Sequence, residues 1–330
     1  MLNLSHPEIK FAVESVRKAS RLVMEVRREM ISPAMTKKDK SPVTIADFGS
    51  QALVGKFLHD TFPQDSFVAE ESSSALQSGE TGQALAQITQ YVRRFLPGAS
   101  EKDVCGWIDR GTGDAARRFW TMDPIDGTKG FVRGDQYAVA LALIEDGELK
   151  VGVLGCPHLS QGCKPDKGGP GSISVAARGQ GAWWSPLAEE APFQPLKVSS
   201  RADAAQALLV RSLEGGHTDT SVMDKLVSNI GTKRTPLMMD SLAKYSVVAG
   251  GGADFLFRLP SPDEPDRKEW IWDQAAGVIL VEEAGGRATD LEGRKLDFST
   301  GRLMTRNRGV IISNGRLHDA ALAAVRKLRF

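Results

Sequence analysis

The densest chemistry in this 330-residue chain lies at Asp123-Pro124-Ile125-Asp126-Gly127-Thr128. Asp123 and Asp126 stand three positions apart at the end of an apolar stretch, Arg118-Phe119-Trp120-Thr121-Met122, that reads as a strand. Pro124 fixes φ and Gly127 permits a tight turn, so both carboxylates and the Ile125 carbonyl between them can converge on a hard cation such as Mg²⁺. The plainer reading is a strand-ending turn capped by Asp, and spacing alone leaves the two evenly matched. Glu70 follows a second apolar run, Ser66-Phe67-Val68-Ala69, although a Glu after a strand is more often only solvated. Asp273 opens the run Gln274-Ala275-Ala276-Gly277-Val278 and by itself reads as the N-cap of a helix over 273–284, a place that also favours phosphate. Asp47 alone reads as the N-cap of a helix over 48–59. No cysteine or histidine occupies a nucleophile-like position in these motifs, which fits direct attack by water better than a covalent route.

The elements that must position these groups follow from periodicity. Phe11, Val13, Val16, Ala19, Leu22, Val23 and Val26 recur at helical spacing and predict a long first helix from Pro7 to about Met30. The charged segment Thr36 to Ser41, ending at Pro42, predicts a mobile loop feeding Val43 to Asp47. Residues 72–82 read as a loop, 83–95 as a helical insertion, and 106–113 as a glycine-punctuated loop. Tyr137 to Ile144 and Val151 to Cys156 predict a strand pair turned by Glu145-Asp146-Gly147-Glu148, with Ile173 to Ala177 a further strand, so this half is mainly antiparallel. After Pro195 the texture becomes strand-helix alternation over 207–211, 221–230, 235–239, 242–249, 253–258 and 273–284. That shift places a domain boundary near Pro195, with an α+β domain over 1–195 and an α/β domain over 196–330.

Composition narrows the function classes. Apolar residues at 41% and charged residues at 25% are those of an ordinary soluble globular protein. A formal net charge of +1, without a run of Lys/Arg interleaved with aromatics, argues against a nucleic-acid polymer as partner. A small phosphate compound needs only a few local cations. No stretch approaches the ~20 apolar residues of a membrane span, and the amphipathic N-terminus lacks the apolar core of a signal peptide. Cys105, Cys156 and Cys163 form an odd, sparse set that fits a reducing compartment, with cytoplasm the default.

Taken together, these segments resemble the inositol monophosphatase superfamily of lithium-sensitive, Mg²⁺-dependent phosphatases. The resemblance rests on Asp123 to Thr128, on Trp272-Asp273-Gln274-Ala275-Ala276-Gly277, and on Lys40-Ser41-Pro42-Val43-Thr44-Ile45-Ala46-Asp47. It implies a layered α/β/α/β/α sandwich of the inositol monophosphatase / fructose-1,6-bisphosphatase type and two or three Mg²⁺ ions. The implied metal ligands are Glu70, Asp123, Ile125 through its carbonyl, Asp126 and Asp273. Asp47 and Thr128 are implied to orient and deprotonate the attacking water.

Within the superfamily, the fuller run Asp123 to Phe131 and the long insertion between Glu70 and Asp123 are similar to the 3'(2'),5'-bisphosphate nucleotidase branch, especially its fungal and plant members. The match extends through Gly216-His217, Asp240-Ser241-Leu242-Ala243-Lys244-Tyr245 and Phe257-Arg258-Leu259-Pro260. His217, Ser241, Lys244 and Arg258, with Thr128 and Asp273, are the implied substrate contacts. Each of the first four has a plainer alternative: a loop histidine, a helix opening with a solvated face, a strand-end ion pair. The implied reaction removes the 3'-phosphate of adenosine 3',5'-bisphosphate to give AMP and phosphate, with 3'-phosphoadenylyl sulfate as a second substrate, beside sulfate assimilation. The expected protein is a monomer acting on a small-molecule nucleotide, with neither a nucleic-acid polymer nor a membrane as partner. Two alternatives stand beside this: an inositol polyphosphate 1-phosphatase, and a non-enzymatic nucleotide sensor on a decayed phosphatase scaffold.

Overall fold

The computed structural model describes residues 2–30, 41–76, 82–213, 220–260 and 264–328. The loop expected from Thr36 to Ser41 lies outside them except for Ser41, as does His217. The first helix, α1 (Pro7–Met30), buries Phe11, Val16, Ala19, Leu22, Val23 and Val26, the stripe its periodicity predicts. The second, α2 (Ser41–Thr61), begins seven residues before the predicted start at 48. A proline in a first turn lacks only an N–H that the helix does not use, and Ile45, Ala46 and Phe48 are buried. Asp47 is therefore an interior helical residue and caps nothing.

Strand β1 (Ser66–Ala69) is followed by α3 (Gly82–Arg93) and α4 (Glu101–Asp109). The last of these corrects the loop expected over 106–113. Ser100 and Asp103 form a reciprocal capping box, and Val104 and Ile108, four apart, are buried, so the helix runs through Gly106. Strand β2 (Arg118–Asp126) leads through Gly127 into the short α5 (Thr128–Arg133). Strands β3 (Ala138–Glu145) and β4 (Glu148–Cys156) meet in the predicted two-residue turn, where Asp146 and Gly147 both have positive φ, 53° and 74°. After the small β5 (Leu159–Ser160) and β6 (Lys164–Pro165) pair come β7 (Ser172–Ala177), β8 (Gly181–Pro186) and β9 (Gln194–Leu196).

These strands form a sheet in the order β1-β2-β3-β4-β7-β8-β9, parallel only between β1 and β2. Alternation along β3 sorts its two faces. Val139, Leu141 and Leu143 join the core under α1 and α2, while Ala138, Ala140 and Ala142 face the other side.

The rest of the chain supplies three further layers. Here β10 (Val210–Arg211) pairs in parallel with β11 (Leu237–Met238) after α6 (Thr220–Ile230). Then come α7 (Ala243–Ala249), β12 (Phe255–Arg258), α8 (Ala275–Glu283), β13 (Arg287–Thr289), β14 (Val310–Ser313) and α9 (His318–Arg326). Strands β12, β14 and β13 form an antiparallel sheet, joined to β10 by a parallel bridge between Leu209 and Phe255.

Helix α8 is apolar on all sides because it is sandwiched between the two sheets with α7. Its approach depends on glycine. A Cβ at Gly152 of β4 would sit 2.4 Å from Ile279, and one at Gly277 of α8 would sit 2.3 Å from the Tyr245 ring of α7. Leu256, Val310 and Ile312 face this middle layer, while Phe255, Phe257 and Ile311 face α6 and α9. The order of layers is α1/α2, large sheet, α7/α8, small sheet, α6/α9, the expected five-layer sandwich. One apolar cluster joins residues from both sides of Pro195.

Candidate metal and phosphate site

The site opens where β1 and β2 end side by side, in parallel, with Ala69 opposite Met122. The pairing of β2 with β3 slips between Asp123 and Asp126, so the backbone kinks as it leaves the sheet. The turn is completed by Gly127 at φ 86°, and any Cβ there would also lie 2.7 Å from the Cβ of Ser241. Ser241 itself has φ 71°, an uncommon conformation for a residue with a side chain. It is held by its neighbour, since the Leu242 N–H donates to Asp126 Oδ2. The start of α7 is thus tied to the end of β2.

Asp123, Asp126 and Asp273 each place a carboxylate oxygen within 4.8 Å of the others. Glu70, Ile125, Thr128, Ser241, Lys244 and Arg258 line the same cavity of about 280 Å³. Asp273 lies one residue before the N-cap of α8, which is Gln274, so its carboxylate faces the cavity and does not cap the helix. Glu70 keeps accessible surface because it faces the opening, but protein surrounds it otherwise. Burial, then Glu71, Asp273 and Asp126, push its carboxyl up to about 8. Asp273 is pushed up to about 7 by burial, although Arg258 opposes the shift. Asp123 is raised well above the carboxylate range, first by burial and then by Glu70, Asp126, Asp273 and Asp47.

Asp47 is buried on α2 and raised well above its usual range by burial and by Glu71 and Glu70. One turn along the same helix face, the Gln51 amide accepts from Glu71 N–H at 3.0 Å and donates to the Glu71 carbonyl at 2.7 Å. This clamp fixes the segment that carries Glu70. Asp123 Oδ1 and Asp47 Oδ1 are both buried with no hydrogen-bond partner among the described residues. Buried carboxylate oxygens are otherwise satisfied, and hard oxygen donors of this kind suit Mg²⁺. The residues present therefore fit a divalent cation.

The opposite wall is already neutralised. Arg258, the last residue of β12, donates to Glu269 at 3.0 and 3.1 Å and to Asp273 at 3.2 Å. Burial alone would lower its pKa, but Glu269 and Asp273 hold it raised. Gln274 also donates to Glu269, at 2.7 Å, and accepts from the Tyr245 hydroxyl. Lys244 is buried on α7 with its Nζ donating to Ser212 Oγ at 2.9 Å, and burial lowers it to about 8.

A profile of the inositol monophosphatase family matches residues 5–329. The chain belongs to that family. Its members are metal-dependent phosphatases that act on small phosphate compounds. A 3'(2'),5'-bisphosphate nucleotidase of Emericella nidulans is 37% identical over 98% of this chain and 99% of its own. A protein of that name from Oryza sativa is 37% identical over 96% and 93%. Among solved structures, an inositol monophosphatase from Zymomonas mobilis superposes with a TM-score of 0.64 at 20% identity, covering 98% of this chain and 100% of its own. One from Anabaena gives 0.62 at 21%, covering 96% and 94%. These two share the fold.

Several residues that shape this inositol monophosphatase family site escaped sequence reasoning. Gln51 and Glu269 act on it through hydrogen bonds that no local pattern announces, and Asp240 and Gln274, although within the family motifs, were given no role there. Asp240 accepts from Arg133 at the end of α5 and, at 3.1 Å, from the Leu213 N–H. Arg267 and Trp270 also line the cavity. Both lie within six residues of Asp273, and that proximity was the available signal.

Proposed function

We propose that this chain is a 3'(2'),5'-bisphosphate nucleotidase that hydrolyses the 3'-phosphate of adenosine 3',5'-bisphosphate to AMP and phosphate, and that also accepts 3'-phosphoadenylyl sulfate. The observation that carries the reading is the convergence of Asp123, Asp126 and Asp273 beside Glu70 in one cavity, where Asp123 Oδ1 has no hydrogen-bond partner among the described residues. The nucleotide rests on the full-length likeness to nucleotidases.

Glu70, Asp123, the Ile125 carbonyl, Asp126 and Asp273 would hold two or three Mg²⁺. Such ions neutralise the phosphate and lower the pKa of bound water. Asp47 and Thr128, at the start of α5, would orient the attacking water, whose proton would pass to the Asp47 carboxylate. The Lys244 ammonium, which lines the cavity, would meet the phosphate's negative oxygens. Ser241 and Arg258, with Asp273 between the two walls, set the position of the nucleotide, and His217 would join them. The division at Pro195 assigns most metal ligands to the first part and the nucleotide contacts, with one ligand, to the second. Three unpaired cysteines suit the cytoplasm, and we take the working unit to be a monomer.

The test is phosphate release by protein supplied with Mg²⁺, from adenosine 3',5'-bisphosphate, 3'-phosphoadenylyl sulfate, inositol 1-phosphate and inositol 1,4-bisphosphate. We expect kcat/KM for the nucleotides to exceed that for either inositol compound by at least about tenfold, worth ~1.4 kcal/mol of transition-state binding. The reverse preference would sink the assignment.

A further inference from the structure

Four large apolar side chains stand exposed among the described residues: Leu4, Leu213, Met238 and Trp270. Only Trp270 is aromatic, and only Trp270 lines the cavity. Its indole lies parallel to that of Trp272, with centroids 4.8 Å apart and planes within 10°. One face is thereby covered, yet the residue is 40% exposed, so the other face is open.

The support beneath it is rigid. Trp272 is 5% exposed, and the Arg302 guanidinium lies 4.9 Å from its ring centroid. Arg302 also donates to the carbonyls of Ala69 and Gly111, which ties the stack to the strand end that carries Glu70. The backbone of Trp270 is bridged to Leu303, the Ile271 N–H donates to Arg302 O, and the Met304 N–H donates to Glu269 O, both at 2.9 Å. The indole therefore loses little freedom when something packs on it.

A tryptophan that served only packing would be buried, as Trp120 and Trp272 are, or partly covered against the core, as Trp107, Trp183 and Trp184 are. Trp270 instead offers a flat apolar face beside a cavity whose lining also carries Glu70, Asp123, Asp126, Lys244, Arg258 and Asp273. That is the complement of a molecule with phosphates at one end and a planar ring at the other. We infer that Trp270 is the stacking platform for the nucleobase, and so the residue that separates nucleotide from inositol phosphate substrates. The inference rests on the nucleotidase reading and adds to it the group that reads the base. Base stacking on an aromatic side chain is worth about 1–3 kcal/mol, or roughly 5- to 150-fold in affinity.

The experiment compares wild type with Trp270→Ala, Trp270→Leu and Trp270→Phe on two substrates: adenosine 3',5'-bisphosphate, and methyl riboside 3,5-bisphosphate, which keeps the sugar and phosphates but lacks the base. With Trp270→Ala, KM for the nucleotide should rise about tenfold or more while kcat stays within about twofold, and KM for the base-free sugar should not move. Trp270→Phe should restore most of the lost affinity and Trp270→Leu should not, because leucine keeps apolar area but has no flat ring. Unchanged nucleotide KM in Trp270→Ala, equal losses on both substrates, or rescue by leucine as good as by phenylalanine would each overturn the inference while leaving the nucleotidase reading intact. A wild-type protein that turns over inositol phosphates and neither of these sugars would sink both.

Discussion

The two walls of the cavity are built on opposite electrostatic plans. On the side of α2, β1 and β2, Glu70 and Asp123 line the cavity near the buried Asp47, all three with raised pKa values, and two buried oxygens have no hydrogen-bond partner among the described residues. On the side of β12 and α8, Arg258, Glu269, Gln274 and Tyr245 satisfy one another through hydrogen bonds, and Arg258 extends the network to Asp273. The first wall gathers like charges that suit a cation, whereas the second is balanced by hydrogen bonds within the protein. A phosphatase site needs both, because repelling carboxylates bind metal strongly only when an independent scaffold stops them from moving apart. Asp273 belongs to both walls and couples them.

Breaking the metal wall should have the largest effect on turnover. Asp126→Asn removes one of the proposed ligand charges and should lower kcat/KM by on the order of a thousandfold, the several kcal/mol a metal clamp supplies. A calorimetric Mg²⁺ titration of the same variant should show weakened binding. Breaking the other wall should be felt first in folding. Arg258→Ala strands Glu269 without its cation and should cost about 3–5 kcal/mol in denaturant unfolding. Similar stability of this variant and wild type would show that the second wall is not self-sufficient.

A subtler test uses pH. Glu70 and Asp273, raised to about 8 and about 7, bind more protons folded than unfolded. Their contribution to stability is therefore complete below the unfolded carboxylate pKa near 4 and is lost as pH rises through 7 and 8. In metal-free protein, Glu70→Gln should melt close to wild type at pH 4 and several degrees above it at pH 8.5. Added Mg²⁺ should raise the wild-type melting temperature more than the variant's. A melting difference that does not change with pH would mean the carboxylates are not in repulsion.

A smaller opposite trend belongs to His318, which is buried between Thr289 and Ser313 and lowered to about 4 by burial. Because its folded pKa is depressed, the stability it contributes is present above about 6.5 and lost as pH falls toward 4. His318→Gln should flatten the thermal stability profile in that window by a few degrees.

Much of this was legible in the chain itself. The stripe of α1, the Asp146-Gly147 hairpin and the Asp-Pro-Ile-Asp-Gly-Thr turn are decided by neighbours within a few residues, so local stereochemistry announces them. The start of α2 and the last turn of α4 were misjudged because a proline or glycine read as a breaker is tolerated where tertiary packing buries the adjoining face. The chain also named Glu70, Asp123, Asp126 and Asp273, but each had an ordinary alternative as cap, turn or solvated side chain.

Only the tertiary structure removed those alternatives, by bringing Asp273 within 4.8 Å of Asp123 and Asp126, about 150 residues earlier in the chain. It alone decided that Arg258 pairs with Glu269 and Asp273, that Gln51 clamps Glu71, and that Trp270 stands open beside the cavity. Sequence determines residue type and local period, which fix the elements and the candidate ligands. Burial and charge coupling depend on which elements pack together, and that is a property of the folded chain.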